Sequence, residues 1–144
     1  MRRFSGVFVV FALLLAMTAQ AGNDVGAAAR DLYVRLAEKD FAGLSRYVSP
    51  DGFTEFNPDG SELKTMTREY FKAAFASGIQ IDFHIEQLQV SQLGKAAIVT
   101  GYRVGALTFP DGKRISSRDC LTMVWSQQRE RWLLRHVHLS KCEA

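Results

Sequence analysis

The apolar period of this chain changes at residue 79, and that change limits what it can fold into. From there Ile79, Ile81, Phe83 and Ile85 alternate with Gln80, Asp82, His84 and Glu86, the period of a half-buried strand. The parity then flips, since Leu88 and Val90 are even-numbered; a β-bulge near Glu86-Gln87 would keep one face buried and bend the strand. Ala96 to Leu107 reads as the next strand, with Gly101 and Gly105 as further bending points. Pro110-Asp111-Gly112 makes a turn, and Ile115 to Ser126 and Arg131 to Ser140 form a last hairpin around Gln127-Gln128-Arg129-Glu130. Connections this short demand antiparallel pairing.

Upstream of residue 79 the apolar spacing is helical. Val25, Ala29, Leu32 and Leu36 make one stripe of a helix capped by Asn23 or Asp24 and running to about Asp40. Phe41, Leu44, Tyr47 and Val48 predict a second short helix, stopped by Ser49-Pro50-Asp51-Gly52. Phe53 to Phe56 reads as a short strand, and Thr67 to Ser77 as a third helix with Thr67 at its N-cap and Gly78 just beyond. Helices early and strands late give an α+β domain in which a strongly curved antiparallel sheet wraps a long N-terminal helix and two shorter ones. Such a sheet leaves a concave, mostly apolar pocket, the default binding site.

Composition and charge narrow the class. Of 144 residues, 47% are hydrophobic and 23% charged, a globular balance. Arg2-Arg3, the unbroken apolar run Val7 to Met17 and Ala19-Gln20-Ala21 read as a secretory signal peptide over residues 1–21. The run is too short for a membrane-spanning helix. Residues 22–144 are then a single exported domain, periplasmic or secreted, with no membrane association after cleavage. Without Arg2 and Arg3 the 18 basic residues fall to 16 against 15 acidic ones. No basic stripe remains to hold nucleic acid.

Trp132-Leu133-Leu134-Arg135-His136-Val137-His138-Leu139-Ser140 is a W-x3-H-x-H-x-S string, one hairpin after Thr122-Met123-Val124-Trp125. This ending resembles the NTF2-like superfamily, especially the association (hub) domain of calcium/calmodulin-dependent protein kinase II and its bacterial SnoaL-like relatives. Lys39-Asp40-Phe41, Ser49 to Pro58, and Arg68, Tyr70 and Phe71 resemble the same family, so that the likeness covers about residues 28 to 140. The resemblance implies a cone-shaped α+β fold that forms a homodimer or, in hubs, a larger ring. The family holds isomerases, cyclases and dehydratases as well as non-catalytic binding and assembly domains, so fold does not choose function. In hubs, arginines line the pocket and accept small carboxylates. Arg103 matches the one on the central strand, whereas Met123 and Leu139 stand where hubs have arginine.

The candidate site residues follow from strand register. Pairing Trp125 with Trp132 sets Leu121 opposite His136 and Asp119 opposite His138, so that Asp119 and both histidines share one face. An Asp–His pair could serve as a general base; hydrogen bonding across the hairpin or at a subunit interface is the alternative role. No metal site is assigned to the histidines and no cofactor is expected. The same register sets Cys120 opposite Val137 and leaves Cys142 roughly 16 Å away along the strand, so a disulfide is not expected. Glu55 is either a desolvated carboxylate at the pocket mouth or an exposed strand residue. Arg103, mid-strand, must face a ligand or pair with Glu55 or Glu86. Tyr33, Tyr70, Tyr102, Arg118 and His136 complete the ligand-binding candidates. The expected function is binding of a small apolar or weakly acidic molecule, or assembly, without turnover. The alternative is a SnoaL-like or ketosteroid-isomerase-like enzyme that moves a proton next to a carbonyl, with Glu55 or the Asp119–His138 pair as base.

Overall fold

A computed structural model describes residues 24–142; the expected signal peptide lies outside the described residues. The element order is α1 (Val25–Glu38), α2 (Phe41–Leu44), β1 (Phe53–Phe56), β2 (Leu63–Met66), α3 (Arg68–Ala76), β3 (Gln80–Leu93), β4 (Ala96–Thr108), β5 (Arg114–Gln128) and β6 (Arg131–Lys141). The architecture is α+β, and six strands form one open sheet in the order β2-β1-β6-β5-β4-β3.

Local chemistry sets the helices. The Asp24 carboxylate caps α1 by accepting from the Gly26 and Ala27 amides, and Lys39 ends the helix in the left-handed region. Thr67 caps α3 through the Tyr70 amide. The second helix is shorter than its apolar spacing predicts. After one α-turn, Arg46 and Tyr47 bond back to Gly43 and Leu44, three residues earlier, and the chain tightens into turns. The Asp31 carboxylate then ties this segment to α1, accepting from Arg35 at 2.9 Å and from the Tyr47 hydroxyl at 2.6 Å.

Bulges bend the sheet around α1. In β3, Glu86 pairs with Tyr102 and Gln89 with Thr100, so Gln87 and Leu88 share the place opposite Gly101, where the spacing predicted a bulge. Gln87 adopts φ 48°. A Cβ on Gly101 would stand 2.7 Å from the Glu86 carbonyl oxygen, so the bulge packs against a bare backbone. Inward residues from both sides, among them Leu32, Val99, Met123, Trp125 and Leu134, make the core.

Three features of the sheet depart from the sequence reading. A strand not foreseen, β2, pairs antiparallel with β1. The sheet is antiparallel except for β1 and β6, which run parallel, with Thr54 beside His136 and Phe56 beside His138. About half of the chain, from residue 57 to residue 130, separates those two strands, so the long crossover that a parallel pair needs is present. Finally, Trp125 pairs with Leu134 instead of Trp132, and Val124 with His136, which leaves Arg135 as an extra residue in β6. The hairpin closes on Arg129-Glu130 alone, with Arg129 at φ 58°.

That register reverses the expectation for the cysteines. Cys120 lies opposite Ser140, and Cys142 is its diagonal neighbour. The two form a disulfide, with Cα atoms 5.3 Å apart. Replacing both with serine is expected to lower the unfolding free energy by about 3 kcal/mol, the loop-closure value for their separation of 22 residues. Urea denaturation measures it, and the wild-type protein in reductant should unfold like the variant.

Candidate functional site

Between α1, α3 and the inner face of the sheet lies a cavity of about 720 Å³. Most of its wall is apolar, from Leu32 and Leu36 of α1, Phe53 of β1, Phe71 of α3 and Phe83 of β3, with Met123, Leu134 and Val137 across the later strands. Phe53 and Phe71 stack with ring centroids 6.0 Å apart, so α3 closes over β1. Polar groups enter at a few places. Glu55, Arg103 and Asp119 take alternate positions beside buried apolar neighbours on β1, β4 and β5, and strand alternation aims them inward.

Arg103 and Asp119 sit opposite each other on β4 and β5 and form one unit. The Arg103 guanidinium donates to Asp119 Oδ2 from Nε at 3.1 Å and from Nη2 at 2.6 Å. Ser117, two residues along the same face, donates its hydroxyl to that oxygen at 2.8 Å. Asp119 is only 2% exposed, and an unpaired carboxylate so buried would be very costly. The guanidinium also lies over the Phe83 ring, 4.2 Å from its centroid. Asp119 is thus the partner of Arg103, in place of the expected Glu55 or Glu86. Arg103 Nη1 has no hydrogen-bond partner among the described residues.

Glu55 lines the cavity and has no direct ion pair among the described residues. Burial pushes its carboxyl above the ordinary value of 4.5, against the pull of Arg103 and Lys64. Asn57 bridges it to the mouth once its amide is turned so that each atom meets a complementary group: in that orientation the amide nitrogen donates to Glu55 Oε1 at 2.7 Å, and the amide oxygen accepts from Lys64 Nζ at 3.1 Å. Tyr33, on α1, is buried in the same wall. Burial raises its phenol well above the usual range, and the nearby charges of Glu55 and Asp119 add to that effect while Arg103 opposes it. A desolvated carboxyl, a neutral phenol and a guanidinium with a spare N–H therefore share one apolar chamber.

Residues 25–142 match the family model described as a SnoaL-like domain. The chain belongs to the SnoaL-like family. Its fold is NTF2-like, and solved structures share it. The calcium/calmodulin-dependent protein kinase II hub homology domain of Chlamydomonas reinhardtii superposes with a TM-score of 0.64 at 18% identity, covering 85% of this chain and 98% of that one. The association domain of the C. elegans kinase gives 0.62 at 22%, covering 82% and 93%. An NTF2-like protein from Rhodospirillum rubrum gives 0.67 at 18%, covering 83% and 99%. At these identities the likeness is one of fold. No curated protein matches the chain.

The SnoaL-like domain brings only part of the expected site together. Tyr33, Glu55, Arg103 and Asp119 line the chamber, and Tyr70 stands at its mouth, 50% exposed. Tyr102, Arg118, His136 and His138 do not line it. Arg118 stacks on the Tyr102 ring at 3.7 Å, and both belong to the alternate set of residues on the outer face of the sheet. The expected Asp119–His138 pair does not form. Asp119 lies opposite Lys141, and the Arg135 bulge turns both histidines outward while Val137 and Leu139 point in. His136 Nδ1 instead meets the Thr54 hydroxyl at 2.8 Å, and Phe56 packs against both imidazoles.

Ser117, Asn57 and Lys64 were missed. The i, i+2 spacing from Asp119 could have identified Ser117. Lys64 depends on β2, whose four residues carry too weak a pattern.

The buried carboxyl makes a pH-dependent prediction. Folded Glu55 keeps its proton to a higher pH than the unfolded chain does, so its contribution to stability is fully present in acid and is lost as pH rises through the folded value. Glu55→Gln is therefore expected to raise the melting temperature at neutral pH, with the gain shrinking towards zero below pH 4.5. Thermal melts across that range would test it; equal melting temperatures at neutral pH would contradict it.

Proposed function

We infer that this domain binds a small, largely apolar molecule in the chamber under α1 and α3. One observation carries the reading: the chamber of about 720 Å³ is open, apolar along most of its wall, and supplied with a few gathered polar groups, the composition of a ligand site. Phenylalanines stand around the space without closing it. We further propose that residues 1–21 direct export of residues 22–144 to the periplasm or the medium. The Cys120–Cys142 disulfide supports an oxidising compartment. Self-association, as a homodimer, is proposed from the likeness to chains named hub and association domains.

The neutral dye N-phenylnaphthylamine tests the chamber by its fluorescence gain in apolar surroundings. Wild-type protein is expected to bind it saturably. Leu107→Trp, which places an indole in the wall, should abolish binding and leave the circular dichroism spectrum unchanged. Dye uptake that the plug does not affect would place binding elsewhere.

A second reading, proton transfer next to a carbonyl, is favoured by Glu55 and Tyr33. A carboxyl with a raised pKa is a better matched base near neutral pH, and a neutral phenol can donate to a developing enolate oxygen. Conversion of a β,γ-unsaturated cyclohexenone to its conjugated isomer, followed by absorbance, would report this activity. Glu55→Gln is expected to reduce the rate at least about 10²-fold. The Asp119–His138 route is not available in this geometry.

A further inference from the structure

Resting on the reading that the chamber takes a small molecule, we propose that it selects a ligand whose polar end is uncharged, a carbonyl or a hydroxyl, and rejects the matching carboxylate. Among the described residues of the wall, Arg103 is the one arginine, and its charge is already engaged. Two of its N–H groups point at a single oxygen of Asp119, and the Ser117 hydroxyl donates to the same oxygen. A ligand carboxylate that reached Arg103 Nη1 would stand beside the buried Asp119 carboxylate, with little water between them to screen the repulsion.

The other charges reinforce this selection. Glu55 is a second carboxyl in the wall, linked to Lys64 through the Asn57 amide, and Asp59 adds a further negative charge at the exposed rim. Lys64 and Lys141 lie at the exposed rim, where water and salt screen them. The interior is therefore neutral when Glu55 is protonated and negative when it is ionised, and neither state attracts an anion. A ketone, aldehyde, amide or alcohol needs no counter-charge. It can accept from Arg103 Nη1 or from the Tyr33 hydroxyl while its apolar body lies against Phe53, Phe71 and Phe83.

Calorimetric titration with acetylnaphthalene and its isostere naphthoate tests the proposal, because the two differ by little more than a methyl group against a charged oxygen. Near neutral pH the ketone is expected to bind at least about tenfold more tightly. Asp119→Asn, which frees the Arg103 charge, should move the affinity ratio about tenfold towards naphthoate. Glu55→Gln should move it the same way by less, and it leaves the Arg103–Asp119 pair intact if the first variant fails to fold. Naphthoate bound as tightly as the ketone by the wild type, or a ratio that neither variant moves, overturns the selection rule and leaves the chamber as a ligand site. A wild-type protein that binds neither compound overturns both readings.

Discussion

Two extra residues govern this structure, Gln87 in β3 and Arg135 in β6. A bulge breaks the alternation of a strand, so that residues after it present the opposite parity to the same face. In β3 this lets Phe83 and Ile85 and then Leu88 all turn towards α1. In β6 it carries the inward set from Trp132 and Leu134 to Val137 and Leu139. Each bulge also adds local twist, and the resulting curvature separates the sheet from α3 far enough to leave a chamber. Without the extra residues, the long strands would bury their polar alternates or lie flatter against the helices.

Inside that chamber the electrostatics are closed on themselves. A buried ion pair contributes little net stability, because removing two charges from water offsets their attraction. The Arg103–Asp119 unit is better understood as a polar patch held in one geometry by Ser117 and the Phe83 ring. Glu55 differs, being desolvated and lacking a direct counter-ion among the described residues. Of the two carboxyls inside the wall, Asp119 is thus committed to a partner, while Glu55 is left with its proton affinity raised; Asp59 stands at the exposed rim. A desolvated carboxyl facing a cavity is typical of sites that do chemistry or discriminate charge.

Much of this was legible in the amino-acid order, and the failures have physical reasons. The period change at Ile79, the parity flip at Leu88 and the caps at Asp24 and Thr67 each reflect local rules, and the structure follows them. The last hairpin failed because its turn places Arg129 at positive φ without a glycine or asparagine to signal it. Pairing the two tryptophans then set the wrong register, and the histidines and the disulfide were misplaced with it. The cue was present: Trp132 and Leu134 are even-numbered, Val137 and Leu139 odd, the same flip that identified the bulge in β3. Glu55 and Arg103 could be placed on inward faces, but the choice of Asp119 as the arginine's partner required the β4–β5 alignment.

The parallel pairing of β1 with β6 has a consequence for how such a chamber comes into being. On one side β1 has only the short β2, and on the other it is held by residues at the far end of the chain. A chain that emerges N-terminus first delivers β1 long before β6, so the wall bearing Glu55 has to wait, loosely held, while the rest of the sheet is made. A chain cut short before Arg131 would lose the lateral support of its acidic side, and with it the buried Trp132, Leu134, Val137 and Leu139 and the Cys142 half of the disulfide. Completion of the site in this sense awaits the last strand of the chain.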